Sequence, residues 1–224
     1  MHSHTDVSVG ADELLTTITP ALADGKLSEA LEIVKKNWTP EQLIALLSSG
    51  KVDVRKVAAL ALGFVGGKAA IGPLAVALHD RDAMVNELAE HAMWCIWFRS
   101  GDCQSVSLVR SGSNDLSECN YARAIEKLTR AIEIDPGFAE AYNQRAIAHY
   151  LAEDYEKSIE DCQAALQRMP QHFGAMAGMG HCHAHSKRYE QARHCYRLAL
   201  AINPRLEGVE ASLKQIDHIT LDNS

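Results

Sequence analysis

Basic residues are scarce in this chain: 22 Lys and Arg stand against 29 Asp and Glu, for a net charge of −7. Neither half reverses that balance, with 9 basic against 12 acidic residues in 1–100 and 13 against 17 in 101–224. A nucleic-acid partner is therefore not expected, since phosphate contacts need a basic surface. Long apolar runs are also missing. The longest, Val57 to Gly67, falls well short of the roughly 18–20 residues of a membrane span, so no membrane partner is expected. The opening Met1-His2-Ser3-His4-Thr5-Asp6 has neither a basic nor an apolar stretch, which argues against a secretory signal. The six cysteines, at 95, 103, 119, 162, 182 and 195, form no C-x-x-C pair. Free thiols in a reducing cytoplasm follow as the expectation. Catalytic signatures are absent too: there is no Gly-rich phosphate loop, no G-x-S-x-G, no H-E-x-x-H and no zinc-type cysteine spacing. The expectation is a protein that is not an enzyme and needs no cofactor.

Aromatic residues make up only 6% of the chain, while alanine occurs 32 times. Small side chains allow helices to approach closely, so the composition leans towards an all-α fold. Internal repeats organise it. Pro136, Pro170 and Pro204 lie 34 residues apart, and Tyr121, Tyr155 and Tyr189 recur at one phase before them. Small residues keep the same register as Gly112/Ala146/Gly180, Ala124/Ser158/Ala192 and Ala131/Ala165/Ala199. That pattern is a helical hairpin. The small positions let two helices touch, and the proline, with no N–H and an extended preceding residue, ends the second helix.

Residues 139–172, through Tyr142, Ala146, Tyr150, Tyr155, Ile159, Ala165 and Pro170, closely resemble the tetratricopeptide repeat (TPR). Residues 173–206 follow it through Met176, Gly180, Tyr189, Ala192, Tyr196, Ala199 and Pro204. The first copy matches only from Tyr121. Its leading helix, Ser105–Glu118, carries Ser111, Gly112 and Ser113 in mid-span and is expected to be short or broken. Val209, Leu213 and Ile216 form one apolar stripe, which makes 207–218 a capping helix.

The first hundred residues repeat differently. Val54–Leu62 aligns with Val85–Met93 at a shift of 31, and Leu43 and Leu47 map onto Leu74 and Leu78. Thr39 with Gln42 makes a capping box, Pro40 fits the first helical position, and Asp53 and Asp82 are candidate N-caps. The short period resembles HEAT repeats of the kind found in phycobilin lyases. The expected architecture is an all-α, right-handed solenoid of helical hairpins. Its parts are a disordered N-terminus leading into a first helix (1–25), HEAT-like repeats (26–100), a junction with a degenerate TPR helix (101–120), TPR repeats (121–206), and a capping helix and tail (207–224). The first ten residues in particular read as disordered. Trp94, Trp97 and Phe98 end a helix that is apolar nearly all round, and they are expected to form an interdomain core against the first TPR helix pair.

In the TPR family the first helices of successive repeats line a concave groove that receives a peptide or helix. The resemblance places Asn143, Gln144, Ile147 and Tyr150 there from one repeat, and Ala177, Gly178, His181 and His185 from the next. Amides suit a peptide backbone of any sequence, and imidazoles add a pH-sensitive partner. One branch of the family grips the C-terminal carboxylate of heat-shock chaperones with Lys, Arg and Asn. Here the matching positions hold Val109, Ser113, Gly174 and Gly178, with Gln144 a partial match. A chaperone tail is therefore not the expected ligand, and the small residues suit a bulky ligand side chain instead.

His181 and His185 share a helix face at metal-binding spacing but lack further ligands, so no metal is expected. The leading function is an interaction module or scaffold for a protein or peptide partner. A chromophore (bilin) lyase and a self-assembling solenoid are the alternatives.

Overall fold

The computed structural model describes residues 4–221, which form thirteen α-helices and one 3-10 turn, with no strand among the described residues. This is the all-α class expected. The chain divides into two units, one ending at Ile96 and the other beginning at Trp97.

The first unit contains α1 (His4–Ala23), α2 (Leu27–Asn37), α3 (Pro40–Leu46), α4 (Val52–Val65), the 3-10 turn Lys68–Ala70, α5 (Ile71–Ala77) and most of α6 (Ala83–Arg99). From His4 onward the N-terminus is helical rather than disordered, and Met1–Ser3 lie outside the described residues. Leu14, Ile18 and Ala21, spaced at i, i+4 and i+7, are buried and give α1 a face to dock. At α3 the capping box forms as expected: Thr39 Oγ1 accepts from the Gln42 N–H, and Gln42 Oε1 accepts from the Thr39 N–H. Asp82 caps α6 by accepting from the Met84 and Val85 N–H groups. Asp53 does not cap, because α4 starts one residue earlier and places it in the first turn. There its charge still suits the helix dipole.

The 31-residue shift carries buried positions onto buried positions. Leu43 and Leu74, Val54 and Val85, Ala58 and Ala89, and Leu62 and Met93 are all fully buried. Arg55 holds Asp80 through two bonds, of 2.6 and 2.9 Å, and fastens α4 to the loop after α5.

The second unit holds the end of α6 and then α7 (Cys103–Ser117), α8 (Tyr121–Ile134), α9 (Ala139–Leu151), α10 (Tyr155–Arg168), α11 (Phe173–His185), α12 (Tyr189–Ile202) and α13 (Glu207–Leu221). Three hairpins, α7/α8, α9/α10 and α11/α12, pack in sequence, and α13 packs on α12. Each second helix stops two residues before the proline. The residues in between, Asp135, Met169 and Asn203, have φ of −130, −141 and −125° and ψ of 87, 86 and 100°, outside the helical region that a following proline disfavours.

Each turn inside a hairpin is fixed by one residue in the left-handed region. These are Cys119, Glu153 and Lys187, with φ of 59, 61 and 58°. The next N–H in each case reaches back across the helix end: Asn120 to Asp115 O, Asp154 to His149 O and Arg188 to His183 O, at 2.8–2.9 Å. This is a Schellman closure repeated at 34 residues, made without glycine.

The leading helix of the first hairpin is neither short nor broken. Helix α7 runs unbroken over 15 residues, with Asp102 capping it through the Gln104 N–H. Gly112 does not interrupt it, because that glycine is the contact point for α8: a Cβ there would lie 2.9 Å from Leu128 Cγ. Arg145 ties three helices together, donating twice to Asp161 at 2.7 Å and once to Thr129. In α13, Val209 and Ile216 are buried and Leu213 packs beside them against Tyr196 and Ala199, as a capping helix requires.

Candidate functional site

Helix α9 supplies Asn143, Gln144, Ile147 and Tyr150. The two amides do not face an open groove. Asn143 is 2% exposed and Gln144 7%, and both donate to Glu140 Oε1, at 3.1 and 2.7 Å. Gln144 Oε1 in turn accepts from Ser113 Oγ on α7 at 2.8 Å. Glu140, one turn earlier on the same helix, is fully buried, and it needs these donors because water cannot reach it. Its other oxygen meets His172 Nε2 at 2.8 Å. His172 Nδ1 accepts from the Ala175 N–H and caps α11, so the proton lies on Nε2, facing the carboxyl group. The expected backbone-reading amides are thus structural. Glu140 and His172 lie 32 positions apart, so no local motif announces their pairing.

Trp97 stacks on the His172 ring, with centroids 4.0 Å apart and planes 12° apart, and meets Phe173 edge-on. It thus reaches the start of α11. Phe98 packs on the α7/α8/α9 cluster around Val109 and Leu128. Trp94 is half-buried in the first unit.

What α9 does expose is aliphatic. Ile147 and Leu151, 37% and 41% exposed, are its only exposed residues. Half-buried Tyr150 lies beside them, and its hydroxyl shares a 2.8 Å hydrogen bond with His185 Nε2. The His185 ring stacks on Tyr155. His181 bonds to the Tyr196 hydroxyl through Nδ1 at 2.8 Å. The two histidines therefore each face a tyrosine, and no group of three metal-ligating side chains occurs among the described residues. Burial, and then the neighbouring His185, push the His181 pKa below the ordinary value. Burial also raises the Tyr196 hydroxyl, to about 12.

Two hollows flank His181. One, of about 220 Å³, lies between α9, α10 and α11 and is lined by Ala146, Ile147, Tyr150, Cys162, Ala177 and Gly178 among others. The second, of about 300 Å³, lies between α11, α12 and α13 beside His185, Tyr189, Tyr196 and Gln215. No Lys or Arg lines either one. Of the positions where a carboxylate clamp would place its polar groups, Val109 is buried, Ser113 is bonded to Gln144, and Gly174 and Gly178 line the first hollow.

Residues 149–213 match the family model of the tetratricopeptide repeat. Tetratricopeptide repeat protein 12 of Homo sapiens is 34% identical over 112 residues, which is 50% of this chain and 16% of that protein. A TPR repeat-containing protein of Rhizobium etli is 32% identical over 83 residues, 37% of this chain and 41% of the relative. The Protein SGT1 homolog of Bos taurus is 32% identical over 108 residues, 48% of this chain and 32% of the relative. The chain therefore spans less than half the length of each of these relatives.

Among solved structures, the Sgt2 TPR domain from Aspergillus fumigatus superposes with a TM-score of 0.53 at 20% identity, covering 55% of this chain and 83% of that one. The first TPR of Spaghetti (RPAP3), bound to an HSP90 peptide, gives 0.52 at 20% identity, covering 54% and 97%. At that identity the likeness shows the fold. No helix among the described residues is long and apolar enough to cross a membrane.

Proposed function

We propose that the chain is a protein-interaction module whose second unit holds a segment of a partner protein along α9 and α11, and that it carries out no chemistry of its own. The observation that carries this is the surface of α9: its exposed residues, Ile147 and Leu151, are aliphatic, and Ile147 lines a hollow. Tyr150, His181 and His185 complete the contact surface, while Asn143 and Gln144 hold it in shape from beneath. The tetratricopeptide match over 149–213 supports the reading.

A chaperone tail is not the partner proposed. An HSP90 peptide occupies one structural neighbour, but here the corresponding positions present no cation to a terminal carboxylate. HEAT-like pairing of the first unit is also part of the proposal, supported by the buried-on-buried match at a shift of 31. Six free thiols fit a reducing, cytoplasmic setting. The bilin-lyase alternative gains no support from the relatives described above.

The test is capture of partners from the native host on the full chain and on a Tyr150→Ala/His185→Ala variant, with circular dichroism to confirm that both fold. Loss of specific partners from the variant supports the proposal. Identical recovery overturns it.

A further inference from the structure

Two glycines in α11 differ in what their missing side chains allow. At Gly180 a Cβ would lie 2.5 Å from Tyr196 Cε1, so the fold itself takes up that space. At Gly178 a Cβ would meet only Cys162 Sγ, at an ordinary 3.5 Å, and the space in front of it is the hollow. A glycine in a helix interior destabilises it relative to alanine, and at Gly178 no internal contact offsets that.

The hollow's size and chemistry narrow its occupant. At about 220 Å³ it exceeds the roughly 150 Å³ of an apolar cavity that takes up benzene. Its lining contains no Asp, Glu, Lys or Arg. The polar groups there are engaged internally: the Asn143 amide donates to Glu140, and Ser158 Oγ donates to Ala146 O and accepts from the Cys182 thiol. A charged group entering would be buried without a counter-ion. Ile147, exposed and aliphatic, continues the pattern at the rim.

Resting on the groove reading above, we infer that this hollow is an anchor pocket for one uncharged, bulky side chain of a partner peptide, of the size of Phe, Leu or Met. The neutral lining complements a neutral residue. The contact is therefore insensitive to salt, unlike recognition of a carboxylate by cations.

The test selects peptides from a random library on the immobilised full chain and measures their affinities by fluorescence anisotropy. Four proteins are compared: wild type, the groove variant Tyr150→Ala/His185→Ala, Gly178→Met, whose side chain would fill the hollow, and Ile147→Asp, an exposed change at its mouth. The expected binders share one Phe, Leu or Met, and changing it to Ala weakens binding by about tenfold or more. Gly178→Met costs a similar factor, and the two losses do not add. Affinity is unchanged between about 50 and about 500 mM salt.

Should Gly178→Met fail to fold, Ile147→Asp carries the same test. If peptides lose binding to Tyr150→Ala/His185→Ala but bind both pocket variants as they bind wild type, the anchor pocket is overturned and the groove stands. If none of these variants affects binding, or the library yields no binder, both inferences fall.

Discussion

Glu140 and His172 meet through a 2.8 Å contact between Oε2 and Nε2, and neither residue is exposed. Because His172 also caps α11 through the Ala175 N–H, one side chain serves a helix end and a buried carboxyl group together. Replacing His172 by Ala removes the cap and leaves a buried oxygen unpaired. The expected loss in urea denaturation is about 2–4 kcal/mol, the sum of those two effects. His172→Asn keeps a capping side chain and should lose less. Equal losses for the two variants would show that the cap contributes nothing and that the whole effect comes from the contact with Glu140.

Substitutions at the two glycines of α11 should have opposite signs. Gly180→Ala drives a methyl group into buried Tyr196 and is expected to cost about 1–3 kcal/mol. Gly178→Ala meets no obstacle and is expected to gain up to about 1 kcal/mol from helix propensity. Thermal melts of the two variants decide the matter, and a destabilised Gly178→Ala would mean that its surroundings are tighter than described.

The left-handed turns can be relieved. Cys119, Glu153 and Lys187 hold φ near 60°, where an L-residue pays about 1–2 kcal/mol. Glycine avoids that cost but adds freedom to the unfolded chain. Glu153→Gly and Lys187→Gly are each expected to stabilise by up to about 1 kcal/mol, and their effects should add because the sites are distant. A lower melting temperature for either variant would contradict the assignment.

Stability should fall on acidification. Burial pushes His149, His181 and His183 below the ordinary imidazole value, although Asp161 partly opposes this at His149. The unfolded chain then binds more protons than the folded one between the depressed values and about 6.5. These groups add stability above about pH 6.5, and it is lost as pH falls through that window. The melting temperature is expected to drop between pH 7.5 and 5, and to drop less in a His181→Gln variant. Parallel pH profiles for the two proteins would exclude His181 as a contributor.

The repeat register was legible because proline and the small residues act locally: Pro136, Pro170 and Pro204 stop helices, and Ala124, Ser158 and Ala192 mark contacts. What stayed hidden depended on partners far along the chain. Gly112 reads as a helix breaker from its residue type alone, whereas in the fold Leu128 fills the place of its missing side chain. Asn143 and Gln144 looked like ligand contacts because nothing in the sequence ties their amides to Glu140, and Glu140 to His172. The turn residues gave no signal at all, since Cys, Glu and Lys do not advertise a positive φ.

The line of hydrogen bonds from Ser113 through Gln144 and Glu140 to His172 passes from α7 to α9 to the start of α11. Repeat arrays gain cooperativity from such couplings between neighbours. With polar groups shared across both boundaries, the middle hairpin cannot open without stranding donors in the hairpins on either side. Slow-exchanging amides in these three helices should therefore report a single opening free energy rather than a graded series, so that the array melts as one body.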